Sequence, residues 1–214
     1  MAPEGRKILI GLFLVSILCG IAGFCYEISI LKVCFYLFGI FFVFSLNFFR
    51  DPHRITPQGD NLLIAPADGK VVLIKVIEDE AVGNAKQISI FLNVFNVHSN
   101  KMPVDGIVES VDYKKGKFKA AFDHSASDVN EQAIVVLSRG NVKIKIKQIA
   151  GLIARRIHCY AEVGSAVKPG ERFGFIMFGS RTDLIVPFNS VVNVKVGDKV
   201  TGGKTVVGQL TKGQ

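Results

Sequence analysis

Between Ile8 and Phe49 only Glu27 and Lys32 carry charge, over 42 consecutive positions. About 20 apolar residues suffice to cross the hydrocarbon of a bilayer as a helix, so this stretch is long enough to cross twice. Its one polar break, Tyr26-Glu27-Ile28-Ser29, falls at the midpoint. Lipid offers no partners for backbone N–H and C=O groups, so a segment of this kind must satisfy them internally as helix. The pattern predicts a transmembrane helical hairpin over residues 1–49, with helices at 8–26 and 28–49; a shallower, re-entrant hairpin is the alternative. Arg6 and Lys7 precede the run, Arg50, His53 and Arg54 follow it, and Lys32 is placed to snorkel near the turn. Positive charge at both ends puts both on the cytoplasmic side, and with them the rest of the chain, at the inner membrane of the cell. A basic start before an apolar run also imitates a secretory signal. Here the run ends Gly23-Phe24-Cys25-Tyr26-Glu27, without a small-residue cleavage pattern, and apolar sequence resumes at once, so the segment is read as retained.

Residues 1–49 hold three basic and two acidic side chains, so +7 of the net charge of +8 belongs to residues 50–214. A basic surface of that kind suits anionic lipid or an anionic substrate. Nucleic acid is not expected, because Lys114-Lys115-Gly116-Lys117 and the lysines from Lys143 to Lys147 come with neither interleaved aromatics nor a recognition helix. Cys19, Cys25 and Cys34 lie in the apolar run and only Cys159 outside it, which makes no disulfide framework. No His/Cys spacing suggests a metal site.

After the polar linker Arg50-Asp51-Pro52-His53-Arg54, residues 50–214 break into short β-rich runs separated by glycine, and the domain reads as mainly β (α+β). The clearest unit is a hairpin of 133–138 and 141–148 around Arg139-Gly140, where Val142, Ile144 and Ile146 alternate with Lys143, Lys145 and Lys147. Period-two alternation predicts one buried face and one basic outer face. A short helix is allowed for within 115–127. Two internal echoes carry more information. Pro66-Ala67-Asp68-Gly69-Lys70-Val71 returns as Pro103-Val104-Asp105-Gly106-Ile107-Val108, and Val163-Gly164, Val167 and Gly170 return 33 residues later as Val196-Gly197, Val200 and Gly203. Duplicated turn-strand units predict a barrel-like sandwich with interlocking halves, analogous to carrier-type hybrid barrels at the level of fold alone.

One dipeptide stands where chemistry could start. Gly179-Ser180 lies between the apolar run Phe173–Phe178 and a second strand, Leu184 to Pro187. Glycine admits a backbone geometry closed to other residues. A serine hydroxyl pressed against the preceding carbonyl can take over its acyl group, and β-elimination from the resulting ester breaks the chain. The new end is a dehydroalanine that hydrolyses to a pyruvoyl group. A Gly-Ser pair by itself is most often just a turn.

The surrounding sequence resembles the phosphatidylserine decarboxylases, especially their short bacterial form, along essentially the whole of residues 50–214. The likeness runs through Ala65-Pro66-Ala67-Asp68-Gly69-Lys70-Val71, Phe91-Leu92-Asn93-Val94-Phe95-Asn96-Val97-His98 with Met102-Pro103 and Gly106, and Asn130-Glu131. It continues in Gly151-Leu152-Ile153-Ala154-Arg155-Arg156-Ile157, Gly170-Glu171-Arg172-Phe173-Gly174 and Phe178-Gly179-Ser180-Arg181. The resemblance implies a proenzyme that cuts itself between Gly179 and Ser180. The products would be a large chain, 1–179, and a small chain, 180–214, opening on a pyruvoyl cofactor made from Ser180. That ketone forms a Schiff base with the serine headgroup of phosphatidylserine and withdraws the electrons left when carbon dioxide departs, giving phosphatidylethanolamine.

The resemblance also implies site residues. Asp68 stands at the family's processing aspartate, where its plain reading is an Asp-Gly turn residue. His98 stands in the active-site histidine segment as an acid or base. Longer family members carry two histidines three apart before the proline; here Lys101 occupies the second place, which leaves open the group completing an aspartate-histidine-serine triad, with His124 and His158 as substitutes. Arg155, Arg156 and Arg181 are candidates for pairing with the substrate's phosphate or carboxylate, since guanidinium groups bind oxyanions bidentately. A homo-oligomer is admitted. Two other functions fit parts of the pattern: a pyruvoyl decarboxylase of a soluble amino acid, and a non-enzymatic, membrane-anchored barrel acting as adaptor. A carrier domain would need a Met-Lys pair at a turn tip, and the sequence has only the reversed Lys101-Met102.

Overall fold

The computed structural model describes residues 1–119, 126–152, 156–177 and 179–211. The chain forms two compact units, Met1–Pro52 and His53–Gln214.

The first unit is a helical hairpin. Helix α1 spans Arg6–Cys25 and α2 spans Ser29–Phe48, each 20 residues and so about 30 Å long at 1.5 Å per residue. Both are long and apolar enough to cross a membrane. Their seam is made of small residues: Ser16, Gly20 and Gly23 are the buried positions of α1. A methyl group at Gly20 would come within 2.9 Å of the Phe35 ring, and one at Gly23 within 2.8 Å of the Lys32 amide nitrogen. Small side chains thus let the two backbones approach, a seam of the kind enriched between helices that associate in lipid. Leu18, Ile21, Ile40 and Phe41 remain exposed, so large apolar side chains face outward, the reverse of a water-soluble hairpin. Glu27, at φ +56°, turns the chain and pairs with Lys32. Ala2 N–H closes the open end on Phe49 O at 2.7 Å.

The second unit is built from β1 (Leu62–Ile64), β2 (Gly69–Asp79), β3 (Gly83–Leu92), β4 (Ser99–Lys101), β5 (Gly106–Lys114), β6 (Gln132–Arg139), β7 (Val142–Ile149), β8 (Ile157–Cys159), β9 (Ala166–Val167), β10 (Arg172–Ile176), β11 (Ser180–Pro187), β12 (Val191–Val192), β13 (Lys199–Val200) and β14 (Val206–Gln209), with one helical turn, α3 (Ala126–Val129). Eight strands form one curled antiparallel sheet in the order β13-β2-β3-β11-β7-β6-β5-β9, and two three-stranded sheets, β1-β14-β12 and β4-β10-β8, complete the unit. Alternate residues of the large sheet, Ile88, Ile90 and Leu92 on β3, Leu184 and Val186 on β11, Ile144 and Ile146 on β7, and Val135 and Leu137 on β6, are buried in one core cluster. Burying each such side chain stabilises the fold by about 1.5–3 kcal/mol.

The echoes in the sequence are echoes in space. Gly69 and Gly106 open β2 and β5, and β13 and β9 pair with them at the two ends of the large sheet through Gly69↔Val200 and Gly106↔Val167. The same hydrogen bonds recur: Val71 N–H to Asp198 O (2.9 Å) and Gly197 N–H to Val71 O (2.8 Å), against Val108 N–H to Ser165 O (2.9 Å) and Gly164 N–H to Val108 O (2.8 Å). The halves interlock reciprocally, Ile64 N–H donating to Pro103 O and Lys101 N–H to Pro66 O, both at 2.8 Å.

One expectation changes. The lysine row of β7 is not an open basic face: Lys143 is exposed, but Lys145 is 8% exposed and bonded to Asp79. Burial pushes the Lys147 ammonium below its ordinary value, with Asp183 partly opposing that. The reason is that this face of the central strands is covered: Ser127 of α3 hydrogen-bonds Asp183 on β11 beside it. The run 91–98, mostly apolar though it is, divides after its second residue. β3 stops at Leu92, and a turn follows in which Asn96 Oδ1 accepts Asn93 N–H and Asn93 Oδ1 accepts Phe95 N–H, both at 2.9 Å, the local bonding by which asparagine interrupts a ladder.

Candidate active site

Ser180 is the first residue of β11, whose residues from Ser180 to Val186 are all buried between β3 and β7. The preceding Gly179 sits at φ +62°, with nothing among the described residues where a Cβ would go. Backbone conformation therefore favours glycine there. Among the described residues Ser180 Oγ has no hydrogen-bond partner, although the residue is fully buried. A hydroxyl left unsatisfied in a core costs about 1–3 kcal/mol, and such atoms in a folded protein call for an explanation.

Side chains of a strand alternate, so Ser180 and Thr182 share the inward face with Leu184 and Val186. Above the apolar core this face is polar. Asn100 Nδ2 donates to Thr182 Oγ1 at 3.0 Å, and Gln148 Nε2 donates to Asn100 Oδ1 at 2.8 Å. Gln148 pairs directly with Thr182 across β7 and β11. Sequence reading passed over Asn100, Thr182 and Gln148; the one available signal was the presence of polar residues at inward positions of strands that are otherwise apolar.

His98, just before β4, is fully buried. Its carbonyl accepts Ile176 N–H at 3.2 Å, at the end of β10 and four residues before Ser180. Its Nδ1 lies 2.9 Å from Asn96 O. A carbonyl can only accept, so this contact needs the proton on Nδ1 and leaves the lone pair of the neutral ring on Nε2. His98 and Ser180 each stand two positions before a member of the Asn100–Thr182 hydrogen bond.

Asp68 lies at the same end of the large sheet. Lys70, Phe91 and Arg181 form one row across β2, β3 and β11, so Asp68 and Ser180 are two strands, roughly 10 Å, apart at the backbone. The Asp68 carboxylate is held by Arg54 through both oxygens, Nη2 to Oδ2 at 2.8 Å and Nη1 to Oδ1, and by Gly202 N–H at 2.8 Å. Arg54 Nη1 also donates to Gly202 O at 2.6 Å. Arg54, read from sequence as a linker charge, is thus part of the Asp68 turn. No local pattern marks that long-range pairing.

Arg181 is fully buried on the opposite face from Ser180. Its Nε donates to Asp183 Oδ1 at 2.7 Å and its Nη2 to Ser89 Oγ at 2.6 Å. Asp183 also accepts from Gln87 Nε2 at 3.0 Å and from Ser127 Oγ. A buried ion pair persists only when its remaining polar atoms are satisfied in this way. This placement differs from that of a side chain open to a headgroup. Arg156 is exposed, and its carbonyl accepts Met177 N–H at 3.1 Å, beside the β10–β11 connection. His158, on β8, stacks on Tyr160 with ring centres 6.3 Å apart and offers its carbonyl to Gln148. Lys101, at the end of β4, runs beside the Gly203 turn, where a Cβ would lie 3.4 Å from Lys101 Cγ. His124, Arg155 and Phe178 lie outside the described residues.

Fold and site together define a β domain, preceded in sequence by two helices long and apolar enough to cross a membrane, with a buried serine at the head of a central strand behind a left-handed glycine. A family model described as Phosphatidylserine decarboxylase matches residues 41–208. The chain is similar to phosphatidylserine decarboxylase proenzymes of Cupriavidus pinatubonensis (42% identical, covering 98% of this chain and 95% of the relative), Desulfotalea psychrophila (43%, 89% and 92%) and Neisseria gonorrhoeae (46%, 81% and 68%). The chain belongs to the phosphatidylserine decarboxylase family.

Proposed function

We propose that this chain is a proenzyme that cuts itself between Gly179 and Ser180 and then, as a carboxy-lyase, converts phosphatidylserine to phosphatidylethanolamine. The observation that carries the reading is the buried Ser180 Oγ, unpartnered among the described residues, behind a glycine at φ +62°, in a chain of this family. The cut runs through an ester that β-elimination then breaks, freeing the Gly179 carboxylate and leaving a dehydroalanine that hydrolyses with loss of ammonia. In the first step Ser180 Oγ loses its proton as it bonds to the Gly179 carbonyl carbon, and the Gly179–Ser180 C–N bond breaks with a proton returned to nitrogen. His98, with its lone pair on Nε2, is the candidate to take and return that proton. Asp68, fixed by Arg54 and Gly202, supplies negative charge at the same end of the sheet.

The orphaned hydroxyl and the polar inward face of Thr182, Asn100 and Gln148 fit a small carbonyl-bearing group formed from Ser180. A pyruvoyl group there supplies the electron sink that decarboxylation needs. The chain's own residues bind and exclude: Arg156, exposed beside the β10–β11 connection, is suited to the substrate's phosphate or carboxylate. Arg181 supports the strand from the opposite face. The helical hairpin keeps residues 53–214 at the cytoplasmic face of the cell membrane, where the headgroup is reached while the acyl chains stay in lipid.

Intact-mass analysis tests the cut. It should give a large chain ending at Gly179 and a small chain, 180–214, lighter than encoded by one ammonia and refractory to Edman sequencing. Ser180→Ala should remain one chain and release no carbon dioxide from phosphatidylserine vesicles. A single full-length chain in active protein would sink the reading, and turnover of free serine would favour a soluble amino-acid decarboxylase.

A further inference from the structure

We infer that Asn100, not Lys101, is the residue of β4 that positions the Ser180 junction, through the hydrogen-bonded chain Gln148–Asn100–Thr182. This rests on the proposed self-cut. Lys101 is the neighbour of Asn100 on β4, and neighbours on a strand point to opposite faces. Asn100 faces β11 and bonds to Thr182, whereas Lys101 extends beside the Gly203 turn.

Asn100, Thr182 and Gln148 are all fully buried. Each lies on a different strand, and together they tie the small sheet β4-β10-β8 to the central strands of the large one; Gln148 also reaches His158 O on β8, at 3.4 Å. His98 enters the site on the small sheet and Ser180 on the large one. The distance between imidazole and hydroxyl is therefore set by how the two sheets dock, and this polar chain crosses that junction. Gln148 is itself held in place: a Cβ on Gly174 of β10 would lie 2.4 Å from its Nε2. A base must come within hydrogen-bond reach of the proton it removes, so slack in the clamp would slow the cut without removing any reacting group.

Thr182 makes the idea testable, because valine matches its shape and serine keeps its hydroxyl. Full-length chain translated in detergent micelles would be sampled over time on denaturing gels, and the same substitutions in a Ser180→Ala background would report thermal stability of the uncut fold. Thr182→Val should cut about tenfold more slowly, the effect of losing one buried hydrogen bond at a barrier, and Asn100→Leu, which loses two, at least as slowly. Thr182→Ser should cut close to normally despite its smaller volume, and Lys101→Met within about twofold of the unaltered chain. If packing alone matters, valine will outperform serine, and the inference falls. Slow cutting in Lys101→Met with normal cutting in Asn100→Leu would likewise overturn it. An unaltered chain that never cuts would instead remove the proposed function on which the inference stands.

Discussion

Arg54 holds Asp68 by a two-pronged ion pair, although 13 residues separate them and a sequence reading assigns one to a linker and the other to a turn. Both side chains are largely buried, at 16% and 13% exposure. Arg54→Ala would leave the carboxylate with Gly202 N–H alone among the bonds just described, at a cost of about 2–3 kcal/mol. Arg54→Lys should recover only part, since an ammonium cannot form the paired fork. Asp68→Asn should accumulate uncut precursor. Denaturation midpoints and gel assays of the same preparations separate the two effects, and normal cutting in Asp68→Asn would return Asp68 to a turn residue.

Cutting before Ser180 would not release the small chain. Its first eight residues are β11, in register with β3 from Ser180↔Leu92 to Pro187↔Ala85 and with β7 from Arg181↔Ile149 to Ile185↔Lys145. Two ladders of backbone hydrogen bonds and a buried side-chain row hold it. The cut protein should elute as a single species in detergent and separate only in strong denaturant. Separation under native conditions would mean that the strand leaves the sheet.

The Asp79–Lys145 pair predicts a pH dependence. Burial pushes the Asp79 carboxyl up, but the Lys145 ammonium and the amides of Ala81 and Val82 outweigh it and hold the group below its ordinary value of 3.8. A carboxyl lowered in the folded state adds stability above that ordinary value and loses it as the pH falls through the folded one. Asp79→Asn should therefore be less stable than the parent at pH 7, with the difference shrinking below about pH 4. A difference independent of pH would assign the effect to packing.

Deleting residues 1–49 tests the membrane unit. The deletion leaves Arg54, Asp68, His98 and Ser180 in place, so self-cutting should persist. Turnover should fall far more on phosphatidylserine in vesicles than on a short-chain, water-dispersed analogue, because the hairpin acts by raising local substrate concentration. Equal losses on both would make the hairpin part of the catalytic fold. No loss on vesicles would credit membrane binding to the basic surface of residues 50–214.

Much of this protein follows from patterns only a few residues long. An uncharged run can satisfy its amides in lipid only as helix, and alternation marks the β6–β7 hairpin because successive side chains of a strand face opposite ways. The Pro66 and Pro103 echoes foretell interlocked halves because like turns feed like strands. Gly179-Ser180 is legible for the same reason: the left-handed backbone is a local demand met by one residue type. What local pattern could not reveal is which side chains meet across distance. Arg54 on Asp68, Asn100 between Thr182 and Gln148, Arg181 turned away from Ser180 onto Asp183, and Lys145 buried on Asp79 all depend on the docking of one strand or sheet on another. The free energy of those contacts comes from excluding water between segments remote in sequence, a quantity that exists only once the chain has folded.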